Sequence, residues 1–183
     1  MAISAAMVKE LRERTGLGMM DCKKALAEAG GDMDQAIEDL RKKSSLKAAK
    51  KAGRTAANGL LGVKSSEDGT RIALVEVNIE TDFAAKNEKF VAFVSRVAQA
   101  LFDSGDIDSV TQTLNAERET LVQEIGENMA IRRGAIVESA SGGLSYYMHG
   151  DQRRGAIVQL SDKHDELGRD LAMHVVAINP MVV

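Results

Sequence analysis

The sequence predicts an α+β protein, with an N-terminal three-helix module followed by a duplicated core of antiparallel sheet and helix. Three observations carry this. Apolar residues recur at helical spacing through about residue 54, broken by glycine turns. The period shortens to two at Gly59, and an Asp-Gly pair follows where a hairpin must turn. The same strand, strand, helix order then returns from Gly143.

Ser4 is placed to cap a first helix through Thr15, with Val8 and Leu11 one turn apart and Gly16 as its stop. A second helix over about Met20–Ala29 lines up Cys22, Ala25, Leu26 and Ala29, and Gly30-Gly31 end it. Asp32 caps a third, whose apolar face is Met33, Ala36, Ile37 and Leu40. Residues 1–43 are therefore a small three-helix module, and 44–58 a basic, solvated helical linker. Residues 59–139 form the first core unit: strands over 59–64 and 71–78 around Glu67-Asp68-Gly69, helices over about 87–102 and 115–127, and a strand over 131–137. The first of these helices carries Phe90, Phe93, Val94, Val97 and Leu101 on one side, the second Leu121, Val122 and Ile125. Residues 140–183 form the second unit, with strands over 143–148 and 154–160 around Gly150-Asp151. Its helix over 165–178 has an apparent core face of Leu167, Leu171, Val175 and Ile178.

The 183 residues exclude a large multidomain enzyme, and no apolar run reaches the ~18 residues of a membrane span. The net charge is −3, so bulk electrostatics select neither nucleic acid nor membrane. The charge is uneven: residues 1–58 hold twelve Lys and Arg against eight Asp and Glu, and the rest of the chain is acidic. A single cysteine, Cys22, and an N-terminus without signal-peptide character make a reducing cytoplasm the expected location. Aromatics are only 3%, leaving little material for base stacking.

Chemistry-bearing motifs are missing. No phosphate loop of the form G-x-x-x-x-G-K-[ST] occurs and no G-x-G-x-x-G opens a helix, so no cofactor or nucleotide is expected to bind. His149, His164 and His174 stand far from Cys22 in sequence, without metal spacing or a local nucleophile pair. The acids Asp103, Asp106, Asp108, Glu117 and Glu119 read as solvated. Two segments are unlike ordinary core. Met19-Met20 lie at a glycine-flanked junction, where either one side chain projects as an adaptable contact or both seal the junction. Phe83 follows Asp82 in a polar connector, either tucked against the sheet or presented as a wedge.

The run LRERTGLGMMDCKKAL over residues 11–26 and the run EVNIETDF over 76–83 closely resemble the two signature segments of the bacterial translation elongation factor Ts family. The resemblance extends to KAAKKAG at 47–53, IGEN at 125–128 and AMHV at 172–175. Ala84 departs from it, since the family usually has Val there, and most bacterial members continue through a helical hairpin and a C-terminal module where this chain stops at Pro180-Met181-Val182-Val183. The resemblance implies a ubiquitin-associated-like fold for the three helices and a core of two related subdomains. It also implies guanine-nucleotide exchange on elongation factor Tu, without a chemical reaction of the chain's own. Asp82 and Phe83 would then be the working pair near the partner's magnesium and phosphates. Arg12, Met19 and Met20 would grip its nucleotide-binding domain, with Ile125, Gly126, His149 and Lys51 as further contacts. The rival expectation is an RNA-binding or translation-associated adaptor using the basic segment 41–54, whose affinity would fall steeply with salt.

Overall fold

The computed structural model describes residues 3–140 and 143–181; Val182 and Val183 of the expected chain end lie outside the described residues. The protein is α+β.

Three helices open the chain: α1 (Ala5–Thr15), α2 (Met19–Glu28) and α3 (Met33–Lys51). The Ser4 hydroxyl accepts the Met7 amide at 3.2 Å, and Gly16, at φ +71, closes α1 by donating to Arg12 O. Asp32 caps α3 by accepting the Gln35 amide at 3.0 Å. Val8, Leu11, Leu17, Cys22, Ala25, Leu26, Ala36 and Leu40 meet as their shared core.

The solvated linker expected at 44–58 needs correction. Helix α3 runs unbroken through Lys51, and Ser44 and Ala48 are buried. Both are small and one turn apart, which lets α3 lie close along α7 (Asn115–Ile125), with Ser44 Oγ 2.7 Å from Gln123 Oε1.

Strands β1 (Asn58–Ser65), β2 (Arg71–Ile79) and β3 (Met129–Glu138) form an antiparallel sheet in that order, so the strand expected over 131–137 pairs with the first hairpin. Alternation on β2 sends Val75, Val77 and Ile79 inward. They meet Phe90, Phe93, Val94, Val97 and Leu101 of α5 (Glu88–Ser104). A short α6 (Ile107–Thr113), not foreseen, is capped by Asp106 and buries Val110.

A second sheet pairs β4 (Leu144–Met148) with β5 (Gly155–Gln159), covered by α8 (Asp165–Ile178). The core face expected for α8 is also corrected. Gly168 and Ala172 are buried, whereas Leu167, Leu171 and Ile178 are exposed and Val175 is half-buried. A Cβ at Gly168 would come 2.3 Å from Ser145 Oγ, so the helix sits too close to β4 for large side chains between them. The units are tied by backbone bonds from Leu144 N to Gly69 O at 3.2 Å and from Leu61 N, on the outer strand β1, to Gln152 O at 2.7 Å.

Candidate functional site

Strand β2 ends on Ile79, and after Glu80 and Thr81 the chain makes the four-residue helix α4 (Asp82–Ala85). Thr81 caps it: its Oγ1 accepts the Ala84 amide at 3.1 Å. Ala84 and Ala85 turn into the core, which leaves Asp82 and Phe83 outside. Phe83 is 85% exposed, so it is presented rather than tucked against the sheet. Asn87 closes the segment by capping α5, its side chain accepting the Lys89 amide at 2.9 Å.

The connector between α7 and β3 holds the other side. Thr81 donates twice to Glu127, from its amide to Oε2 at 3.0 Å and from its hydroxyl to Oε1 at 2.7 Å. Glu80 Oε1 accepts the Asn128 amide at 2.5 Å and Arg54 at 3.2 Å. The Asn128 amide first, then the Arg54 and Lys51 charges, hold the Glu80 carboxyl below the usual range despite some desolvation. Gly126, at φ +89, terminates α7, and Ile125 is half-buried against the core.

Lys51 differs from the other expected contacts. Its Nζ donates to Gly126 O at 2.6 Å and lies 3.4 Å from Val122 O, so the side chain ties α3 to the end of α7. His149 begins the turn between β4 and β5, with its Nδ1 3.4 Å from Tyr147 Oη. The residues that follow it, Gly150 through Arg153, line a depression of about 550 Å³ together with Asp82 and Lys86. The turn carrying Phe83 and the turn after His149 are thus neighbours.

The three-helix module packs against α7. Gly16 sits against α7, where a Cβ would come 2.6 Å from Glu124 Oε1, and Glu124 in turn pairs with Lys89 of α5 at 2.7 Å. Asp21 Oδ2 is 3.4 Å from Gln123 Nε2. Of the two arrangements weighed for the methionines, neither holds: Met19 is 58% and Met20 76% exposed, so both project. Leu17 takes the buried place at the junction, and Cys22 the next one along α2. Arg12 is exposed on α1. The last turn of α7 thus meets the module that carries the methionine pair, and the connector that follows it is bonded to the Phe83 turn.

Glu127 and Asn128, whose bonds hold the Phe83 turn, stand in the run IGEN but no role could be assigned to them from sequence. Their partners lie 46 and 48 residues away, a separation that no local pattern reports. Part of the basic segment is committed internally. Lys42 pairs with Glu38 at 3.7 Å, Lys43 with Glu28 at 2.5 Å and Arg54 with Glu80. The Lys43 hydrogen bond holds the Glu28 carboxyl below its ordinary value. Among the described residues no cluster of three or more His, Cys, Asp or Glu is placed to hold a metal ion, and no helix is long and apolar enough to cross a membrane.

Residues 80–183 match the family described as Elongation factor TS. The chain is 53% identical over 186 residues to Elongation factor Ts of Saccharophagus degradans and 52% over 185 residues to that of Hahella chejuensis; both alignments take in all of this chain and 64% of the relative. Against Elongation factor Ts of Arthrospira platensis the identity is 51% over 191 residues, covering all of this chain and 76% of the relative. The chain thus spans a little under two thirds of the length of the first two relatives. Matches of this extent and identity mean that the chain belongs to the elongation factor Ts family.

Proposed function

We propose that this chain is a translation factor of the cytoplasm that promotes GDP release from elongation factor Tu. The observation that carries the proposal is Phe83, 85% exposed on a turn bonded at both ends. A large apolar side chain held out in water by a fixed backbone is suited to entering a partner. In the exchange reading, Phe83 and Asp82 enter beside the partner's magnesium and phosphate site and displace groups that retain the ion, which loosens the nucleotide. Arg12, Met19 and Met20 hold the nucleotide-binding domain, while Ile125, Gly126 and the His149 turn extend the contact. No bond is made or broken by the factor, so it is not an enzyme in the chemical sense and needs no cofactor. Linkage makes the effect reciprocal: by whatever ratio this chain lowers the affinity for GDP, bound GDP lowers the affinity for this chain.

The architecture we propose to go with this has residues 1–43 as a ubiquitin-associated-like module, 44–58 as its brace, and 59–139 and 140–183 as related subdomains. Three helices around a small core, and helices packed on successive hairpins, support it. The RNA-adaptor alternative has less support, because Lys42, Lys43, Lys51 and Arg54 already have partners within the fold.

The test is to mix the chain with elongation factor Tu loaded with labelled GDP and follow release against concentration. Saturable acceleration is expected; none at saturating concentration refutes the proposal.

A further inference from the structure

Resting on the exchange reading above, we propose that Glu127 is a positioning residue, which sets the direction of Phe83 through Thr81 without itself touching the partner. Thr81 has two hydrogens to donate, one on its amide and one on its hydroxyl, and Glu127 meets each with a separate carboxylate oxygen, at 3.0 and 2.7 Å. A threonine hydroxyl carries one hydrogen and rotates freely unless that hydrogen is claimed. With the hydrogen committed to Glu127, the oxygen's lone pairs are left for the Ala84 amide, 3.1 Å away. Ala84 follows Phe83 directly, so the relay from Glu127 through Thr81 to Ala84 spans the residue it aims.

The support behind Glu127 is stiff. Gly126 ends α7, and its carbonyl is gripped by Lys51 at 2.6 Å. The Asn128 amide is bonded to Glu80, and the Asn128 side chain donates to Arg54 O at 2.8 Å. The two carboxylates flanking the turn thus bind it to the α7–β3 connector from both sides, Glu127 accepting from residue 81 and Glu80 accepting from residue 128. Chemistry distinguishes the variants. Glutamine at 127 keeps one acceptor oxygen but turns the other atom into a donor, so it serves one of Thr81's two hydrogens; alanine serves neither.

The chain has no tryptophan, so Phe83→Trp makes a unique reporter on the turn. Time-resolved anisotropy of that variant should show overall tumbling with little fast motion. Adding Glu127→Ala should introduce a fast component, and Glu127→Gln an intermediate one, with unchanged far-ultraviolet circular dichroism confirming that the chain stays folded. Identical anisotropy in all three overturns the proposal, whether or not the chain promotes exchange. In the exchange assay, Glu127→Ala should lower the maximal GDP-release rate about ten-fold, the scale of a lost charge-assisted bond, and change the half-saturating concentration by less than about two-fold. In a Phe83→Ala background the same substitution should do nothing further, since no wedge is left to aim. A fall of similar size in that background would mean a general structural effect and also overturn the proposal. Failure of the unmutated chain to release GDP would instead refute the exchange reading, and the anisotropy would still decide the role of Glu127.

Discussion

Phe83→Ala should separate stability from exchange, and the structure gives the size of each effect. Fully burying a phenylalanine is worth about 1.5–3 kcal/mol. At 85% exposure, Phe83 keeps only a small part of that, about 0.2–0.5 kcal/mol. Alanine is also the better helix former by a few tenths of a kcal/mol, roughly cancelling the loss. With a urea dependence near ~2 kcal/mol/M, the unfolding midpoint should move by no more than about 0.25 M. The same substitution at Phe90 or Phe93, both 0% exposed, should cost about 3–5 kcal/mol and move the midpoint by more than about 1.5 M. Exchange should respond in the opposite order. A wedge at the centre of an interface is worth about 2 kcal/mol or more, so GDP release should slow by about 30-fold or more with Phe83→Ala. Urea unfolding followed by circular dichroism and release of labelled GDP measure the two quantities on the same preparation. A stability loss on the ~3 kcal/mol scale would refute the reasoning, because it would make Phe83 a core residue.

Met19→Ala and Met20→Ala should both leave the unfolding midpoint within about 0.5 kcal/mol of the parent and both raise the half-saturating concentration in the exchange assay, since both side chains project. A large stability loss at either would put that side chain in the helix junction. Lys51→Ala should lower stability by about 1–2 kcal/mol in urea unfolding, through loss of its bond to Gly126 O, and an unchanged midpoint with weaker partner binding would make it a contact instead. Asp68, with the Ser66 hydroxyl beside it and the Thr70 hydroxyl and amide bonded to it, has its carboxyl lowered from 3.8 to about 2. Its ionised form therefore stabilises the hairpin above pH 3.8, and the contribution is lost as pH falls through about 2. Asp68→Asn should flatten the dependence of stability on pH across that interval, measured by urea unfolding from pH 2 to 5; an unaltered slope would show that the turn does not hold the carboxylate.

Helix ends were legible wherever a side chain or a glycine decides the backbone locally: Ser4 and Gly16 bound α1, Asp32 starts α3, and Asp68-Gly69 turns the first hairpin. Packing was less legible where small residues do it. On α8 the leucines drew the eye to the wrong side, because closeness to β4 selects Gly168 and Ala172, about 100° around the helix from Leu167 and Leu171. The same cause hid the docking of α3, whose contact residues Ser44 and Ala48 look like linker composition. At the site, Asp82 and Phe83 could be singled out because an aromatic in a polar connector is unusual. The bonds that fix them could not, since Thr81 and Glu127 meet only through the tertiary fold.

Helix α3 has 19 residues and so spans about 28 Å at 1.5 Å per residue. Because it is continuous from the three-helix core to the contacts with α7, the methionine pair and Phe83 are mounted on one frame with little relative swing. In the proposed exchange reading, a partner that touches one of them would meet the other as an intramolecular event, governed by effective concentration rather than by the amount of factor in solution. Two modest contacts then act as a single strong one, and softening the brace would weaken both without altering either.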